Sequence, residues 1–479
     1  MTQNLICDLD ESLIKTDCLF EQWILLLKTR PGLFLLSFFW LISGKVTFKT
    51  QLTLHTKLQV ENLPYRESVL EILKSARGST RIILASASPQ PWVEAVALHL
   101  GLFDHVLAST EKVNLKGSEK LKAIQALVGD ETFTYIGDSS SDLKIWEEAD
   151  EVIAVQPSSS LVKKIRSLQK PSQFLYDSKP SLLILLAQQL RVHQWTKNGL
   201  ILLPIFAAHQ LSSLEVFIQG GFALLAFSFC ASLIYQINDV LDLNSDRKHR
   251  TKRFRPFASG DLSLRWLLLI LPLLLAGVFA CCSLLNTSFM LWLALYFGLN
   301  LLYSFKLKKI EILDIVLLSL MYSIRVFAGS AATSIPSSEW LISFSTLFFF
   351  GLACIKRYSE IHSTPTQAQT QTQIQTQEKI SGRGYLPGDA GLIQSLGVGA
   401  SLLSIVIFML YLKSAEVQPL YSSPQILWGV NPILLYWTSR VWLLTHRHQM
   451  NDDPVVFAIR DQTSWACLIA IFILAGLAL

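Results

Sequence analysis

From about residue 198 onward the chain runs as apolar stretches of roughly twenty residues separated by short polar loops, a pattern that fits the hydrocarbon core of a bilayer. Candidate spans fall at 198–212, 215–237, 263–283, 288–305, 311–332, 339–357, 389–412, 424–444 and 463–479, nine in all. The expected architecture of residues 185–479 is therefore an all-α polytopic membrane bundle of nine helices. Residues 1 to about 175 carry charges throughout and read as a separate first domain, so the 51% hydrophobic content is concentrated in the second.

The loops between the spans alternate in charge. "AAHQLSS", "SLLNTS" and "TSIPSSE" lack Lys and Arg, whereas the intervening loops hold Arg247 to Arg255, Lys306 to Lys309, Lys356 with Arg357, and Arg447. The positive-inside rule puts the basic loops and the first domain in the cytoplasm and the last residue on the far side, in a multi-pass protein of the cell inner (plasma) membrane. The opening "MTQNLICDLDES" turns acidic too early for a secretory signal. A net charge of +5, carried mostly in membrane-proximal loops, does not indicate nucleic acid. The seven cysteines lack CxxC spacing and read as small hydrophobes, not a metal site or disulfide framework. "TPTQAQTQTQIQTQ" is low-complexity, and no oligomeric state follows from the sequence.

One basic loop is also acidic. In "YQINDVLDLNSDRKHRTKRFRP", Asp239, Asp242 and Asp246 recur at i, i+3 and i+7, which places them on one face if the preceding helix continues. Arg247, Lys248 and Arg250 could serve topology alone, but carboxylates do not help that rule. Three clustered carboxylates repel unless a cation holds them, and hard oxygen ligands beside a basic cluster suit Mg²⁺ shared with a diphosphate.

The "NDxxDxxxD" pattern after an apolar helix resembles the first signature of the UbiA superfamily of intramembrane prenyltransferases. "RVHQWTKN", "HRTKRFRP", "YSFKLKKIEILD", "SIRVFAGSAA" and "DDPVVFAIRD" are similar to the polyprenyl-phosphate phosphoribosyltransferase branch, with His249-Arg250 where that branch has His-Pro. The loop matching the family's second aspartate-rich motif offers only Tyr303, Lys308 and the single Asp314, which favours a donor other than prenyl diphosphate. The resemblance implies transfer from phosphoribosyl pyrophosphate to polyprenyl phosphate with Mg²⁺ on Asp239, Asp242 and Asp246. It further implies phosphate binding by Lys252, Arg255 and Lys308, a sugar hydroxyl or metal water at Asp314, and donor contacts from Arg191, Gln194 and Lys197, with Asn238, Tyr303 and Arg325 in the same substrate site. Helix capping or interfacial anchoring is the alternative for Gln194 and Tyr303.

The first domain has its own pattern. "LICDLDES" is an apolar strand ending at Asp8 with Asp10 two residues on, "RIILASAS" delivers Ser86 at a strand end, "KGSEKLKAI" supplies Lys120, and "FTYIGDSSSD" ends a third strand with Asp138 and Asp142. This order resembles the haloacid dehalogenase (HAD) phosphatases and implies an α/β Rossmann-like fold with a helical cap at about 15–75. By that resemblance Asp8 is the nucleophile and Asp10 the acid–base. Ser86 and Lys120 hold phosphoryl oxygens, and Mg²⁺ is bound by Asp138 and Asp142 with Asp8 and Asp10; a solvated helix position is the alternative for Lys120.

Within the cap, "EQWILLLKTRPGLFLLSFFWLISGK" is broken by Lys28, Arg30, Pro31 and Gly32 and reads as a helical hairpin dipping into the cytoplasmic leaflet, with Trp23 and Trp40 at the interface, or as a cap packed on its own core. The fusion suggests sequential reactions: phosphoribosyl transfer to polyprenyl phosphate, then removal of the terminal phosphate to give polyprenyl-phosphoryl-ribose for envelope synthesis. A prenyltransferase acting on an aromatic acceptor, and a membrane-docked phosphatase whose helical part only binds lipid, are the alternatives.

Overall fold

The computed structural model describes residues 3–110, 113–210, 212–363, 384–415, 417–450 and 453–479. The low-complexity stretch at 364–377 and Asp452 of the last membrane motif lie outside them. The chain forms two compact units, residues 1–190 with 235–271, and residues 191–234 with 272–479. The sequence suggested a cut near 175–185; the loop after the acidic motif instead clusters with the first domain.

The first unit is built on a six-stranded parallel sheet in the order β3-β2-β1-β4-β5-β6, with β1 Asn4–Cys7, β2 Arg81–Pro89, β3 His105–Ser109, β4 Phe133–Gly137, β5 Glu151–Val155 and β6 Ser172–Leu175. The near-continuous apolar runs of β1, β2 and β4 are what a sheet covered on both faces requires. Leu5 and Cys7 join one core with Ile82, Leu84 and Trp92, whereas Ile6 joins the other with Ile83, Tyr135 and Trp146. Register places Cys7 beside Leu84 and Ile136, so the carboxyl ends of β1, β2 and β4 open side by side. Open parallel sheets bind their ligands at that edge.

Three helices, α1 Cys18–Thr29, α2 Pro31–Ile42 and α3 Lys45–His55, form the cap after β1. Trp23 does not sit at an outer surface: its ring stacks on Phe34 at 5.2 Å, packs edge-on against Phe38 and Phe48, and its indole N–H donates to Ser37 Oγ at 2.8 Å. Trp40 stacks on His55. The cap thus has an internal core, while the outer face of α2 leaves Leu35, Phe39 and Ile42 exposed.

Among the described residues six helices are long and apolar enough to cross a membrane: Leu214–Leu241, Leu264–Cys282, Thr287–Phe305, Leu313–Thr333, Glu339–His362 and Pro387–Leu412. A seventh is counted if Pro454–Arg460 and Gln462–Ala478, bent by 82°, make one span. The nine expected from hydropathy are therefore not reproduced among the described residues. The run at 198–212 is a tight helical stretch, Val192–Leu202, followed by the short Leu203–Ala207, where Pro204 lacks a backbone donor. The run at 424–444 divides into Pro424–Gly429 and Val430–His446, and the second piece is short for a bilayer at about 1.5 Å per residue.

Within the second unit, helices Glu339–His362 and Pro387–Leu412 approach through glycine. A Cβ added to Gly397 would lie 2.5 Å from Cys354 Cβ and against the Trp442 ring, and one on Gly351 would meet Ser401 Oγ. Small residues are how helices gain contact area where no hydrophobic driving force exists. Gly397→Ala is expected to cost about 1–3 kcal/mol through overpacking. Thermal unfolding in detergent should show a lowered midpoint, while Gly399→Ala, with open space around its Cβ position, should show none.

Candidate functional site

Asp8 follows β1 directly and stands at the carboxyl edge of the sheet. Its Oδ1 accepts hydrogen bonds from the Leu9 N–H and from the Lys120 ammonium, both at 2.9 Å. Lys120, buried on helix Ser118–Val128, also donates to Tyr135 Oη at 3.1 Å, and the Tyr135 hydroxyl donates to Asp142 Oδ1 at 3.1 Å. Asp142 Oδ2 accepts from the backbone N–H groups of Asp138 and Ser139 at 3.3 and 3.2 Å. The loop closes this tightly because Gly137 has no side chain: a Cβ there would sit 2.7 Å from Tyr135 Cε1 and 2.8 Å from Asp142 Oδ2.

One carboxylate oxygen from each of Asp8, Asp138 and Asp142 lies within 4.8 Å of the others. Burial, together with the charges of Asp142 and Asp10, pushes the Asp8 pKa up to about 7 against the pull of Lys120. Burial and then Asp8 and Asp142 push Asp138 up to about 8. Burial works against the Lys120 ammonium, but Asp8 and Asp142 outweigh it and raise its pKa. One lysine cannot balance three carboxylates, so the oxygen-only donor set fits a hard divalent cation such as Mg²⁺.

Asp10 is not in that group of three. Its Oδ1 accepts from the Cys18 N–H at 2.8 Å and its Oδ2 from the hydroxyls of Ser88 and Ser86 at 2.7 and 3.2 Å, so its side chain turns towards the end of β2. The metal contact expected of this position from the DxD spacing is through a backbone carbonyl, which the side-chain orientation leaves open. Ser88, Tyr135 and Lys49 were missed. Ser88 was legible, since residues two apart on a strand share a face. Lys49 comes from cap helix α3 and donates to the Ala87 carbonyl at 2.6 Å and to Asn114 Oδ1 at 2.9 Å, a placement no local pattern announces.

In the same unit the acidic motif begins at the end of helix Leu214–Leu241 and continues after a break at Asp242, whose φ and ψ of −96° and 6° leave the helical region. Asp239 and Asp246 are buried and share Arg255, whose Nη1 lies 3.0 Å from Asp239 Oδ1 and 2.5 Å from Asp246 Oδ2. Gln189 Nε2 donates to Asp239 Oδ2 at 3.1 Å and to Gln236 Oε1 at 3.0 Å. Asn238 and Asp242 are half-buried and Lys252 is exposed. The three aspartates are not gathered as tightly as the Asp8 group, and Arg255, read as a phosphate ligand, here bridges two of them.

In the second unit Lys197 Nζ and Lys356 Nζ flank Asp453 Oδ2 at 2.8 and 3.1 Å, and the Tyr322 hydroxyl donates to the same carboxylate. Burial pushes the Asp453 pKa up, but Lys356 and Lys197 together hold it well below the usual carboxylate range. Arg325 is spent on Asn198 Oδ1, the Met321 carbonyl and Tyr296 Oη at 2.9, 2.6 and 2.9 Å, which makes it a brace. Asp314, expected from the sequence to meet a sugar hydroxyl or metal water, is fully buried against Arg357 at 2.6 Å and accepts from the Tyr385 hydroxyl, and Arg357 also pairs with Glu360. Arg191, Gln194, Tyr303 and Lys308 are half-buried. Asp453 and Lys356 were not singled out as site residues, although "DDPVV" was recognised as a motif.

A parallel α/β sheet with carboxylates, lysine and serine at this edge defines a phosphoryl-transfer domain, joined here to a multi-pass membrane protein. Residues 5–147 match the haloacid dehalogenase-like hydrolases and residues 201–458 the UbiA prenyltransferase family. The chain belongs to the UbiA prenyltransferase family and carries an N-terminal HAD domain. It is 35% identical over 484 residues to "Uncharacterized protein y4nM" of Sinorhizobium fredii, covering 98% of this chain and 90% of that one. Over 182 residues it is 36% identical to decaprenyl-phosphate phosphoribosyltransferase of Mycobacterium tuberculosis, covering 36% of this chain and 59% of that one. A UbiA homolog from Archaeoglobus fulgidus, solved bound to GPP and Mg²⁺, aligns with 61% of this chain and 99% of its own at a TM-score of 0.45 and 15% identity.

Chelation with EDTA should abolish hydrolysis of p-nitrophenyl phosphate by the purified chain, and added Mg²⁺ should restore it. Lys120→Met should lower kcat/KM for that ester by roughly a hundredfold or more, since it removes a preorganised cation from the site of charge development.

Proposed function

We propose that the chain transfers 5-phosphoribose from phosphoribosyl pyrophosphate to polyprenyl phosphate and then removes the 5-phosphate, giving polyprenyl-phosphoryl-ribose at the cytoplasmic side of the inner membrane. The observation that carries this reading is the assembled Asp8, Lys120, Asp138 and Asp142 group in a chain similar over 182 residues to a relative named decaprenyl-phosphate phosphoribosyltransferase. A monophosphate-bearing lipid from the first reaction is the class of substrate that such a phosphatase consumes.

In the transfer step, a lipid phosphate oxygen attacks C1 of the donor sugar and pyrophosphate leaves, forming a phosphodiester and an oxocarbenium-like transition state on the way. Mg²⁺ held by Asp239 and Asp246, with Asp242 near it in sequence, would neutralise charge on the departing diphosphate. Arg255 can pass from these carboxylates to phosphate once a cation replaces it there. Lys197 and Lys356 leave a net positive charge around Asp453, which suits a phosphate oxygen.

In the hydrolytic step, Asp8 attacks the terminal phosphorus and the sugar oxygen departs with a proton from Asp10. Asp10 then takes a proton from water as that water attacks the aspartyl-phosphate, releasing inorganic phosphate and restoring Asp8. Ser86 and Lys120 hold the phosphoryl oxygens. Mg²⁺ on Asp8, Asp138 and Asp142 would supply the charge neutralisation that lets an anionic nucleophile approach an anionic phosphate.

Lipid products from radiolabelled phosphoribosyl pyrophosphate, polyprenyl phosphate and Mg²⁺ test both steps. Wild type should yield the dephosphorylated lipid and Asp8→Asn the 5-phosphorylated one. Asp239→Ala should lower transfer by roughly a hundredfold or more while hydrolysis of a small ester persists. Prenylation of an aromatic acid with no label in lipid would instead establish the prenyltransferase alternative, and identical products from wild type and Asp8→Asn would remove Asp8 from the mechanism.

A further inference from the structure

The segment that presents Asp10 is held from outside the phosphatase sequence. Residues Leu9–Leu13 form a tight turn in which Glu11 has φ +58°, a left-handed conformation unfavourable for a residue with a side chain. Arg66 braces the turn from the cap's far side, donating to the Ser12 and Glu11 carbonyls at 3.0 and 3.1 Å. Further supports come from residues 247–265, the loop that follows the acidic motif and belongs to the same compact unit.

Arg247 grips Glu21 with two nitrogens at 2.6 and 3.2 Å, and both side chains are 6% exposed. The pair is fully provided for, since Arg247 Nε donates to the Ala258 carbonyl at 3.0 Å and the Thr16 hydroxyl donates to Glu21 Oε1 at 2.9 Å. Lys15 meets Asp261 at 3.2 Å. Beside it Gly260, at φ +77°, lies so near that a Cβ would come within 2.6 Å of Lys15 Cβ. Arg265 reaches Asp17 Oδ2 at 2.6 Å and Glu11 Oε1 at 3.4 Å. Two arginines of the loop thus face three acids of the 11–21 segment, and one pair of reversed sign, Lys15 with Asp261, fixes the register.

The contact continues to the reacting group. Asp17, held by Arg265, caps helix α1 by accepting the Phe20 N–H at 3.1 Å, and the next residue, Cys18, donates its N–H to Asp10 Oδ1 at 2.8 Å. On the other side of Asp10, the same guanidinium reaches Glu11. We propose that the 247–265 loop is a working part of the phosphatase, with Arg265 a positioning residue that holds Asp10 in place through Asp17 and Glu11 and Arg247 the buried anchor of that contact. The inference rests on the assignment of Asp10 as acid–base. Because Asp246 precedes Arg247 directly, the loop bearing one acidic ligand of the transferase motif is also the brace of the hydrolytic site.

The test is steady-state hydrolysis of p-nitrophenyl phosphate with Mg²⁺ by the purified full chain. Arg265 is half exposed, so Arg265→Met removes the contact without opening a core. Arg265→Met should lower kcat about tenfold with KM within twofold of wild type, and Arg265→Lys should recover kcat to within threefold. Wild-type kcat in Arg265→Met, or equal impairment of the Met and Lys variants, would overturn the proposal. Asp8→Asn separates the two readings. If it still hydrolyses the ester, the phosphatase assignment falls; if it is inactive while Arg265→Met turns over normally, only the brace falls.

Discussion

A carboxylate taken out of water needs a cation or hydrogen-bond donors, and several buried acids of this chain meet a cation. Asp8 meets Lys120, Glu21 meets Arg247, Asp314 meets Arg357, Asp239 and Asp246 share Arg255, and Asp453 lies between Lys197 and Lys356. Desolvation makes an unpaired buried charge costly enough to shift its protonation or unfold its surroundings, so these pairings are conditions for the fold.

The balance of each group then separates scaffold from site. Glu21 is held by Arg247, and Arg357 is shared between the buried Asp314 and Glu360. Asp8, Asp138 and Asp142 exceed their single lysine by two formal negative charges, and burial first, then the neighbouring carboxylates, pushes Asp8 and Asp138 up. Asp239 and Asp246 both lie against Arg255, whereas Lys197 and Lys356 both lie against Asp453. Residual charge in a low-dielectric setting favours a ligand of the opposite sign, and the oxygen-only Asp8, Asp138 and Asp142 group fits a hard cation.

The membrane part obeys a second constraint, that backbone groups be satisfied internally and that helices associate by close fit. Gly351 and Gly397 permit that fit between two long helices, and the aromatic rings of Tyr296 and Tyr322 flank the Arg325 guanidinium at 4.9 and 5.3 Å, which helps a buried cation persist there.

Much of this was legible in the residues in order. Apolar runs ending in Asp8, Ser86 and Asp138 announced a parallel sheet with its chemistry at one edge, because strand alternation and apolar content are local properties. Long apolar runs announced membrane helices for the same reason, but hydropathy counts residues and not hydrogen bonds, so it did not register how the runs at 198–212 and 424–444 divide after Leu202 and after Gly429. Nor could local pattern tell Asp314, sealed by Arg357 and Tyr385, from an acid that serves a substrate, since the difference lies in partners 43 and 71 positions away in the chain. The separation of Asp10 from the three-carboxylate group, the reach of Lys49 from the cap and the hold of Arg247 and Arg265 on the 11–21 segment were likewise decided by tertiary structure. The sequence determined which side chains could carry charge and roughly where each element would lie; which charges would be matched, and which left over for a ligand, depended on distances that arise only when distant segments pack together.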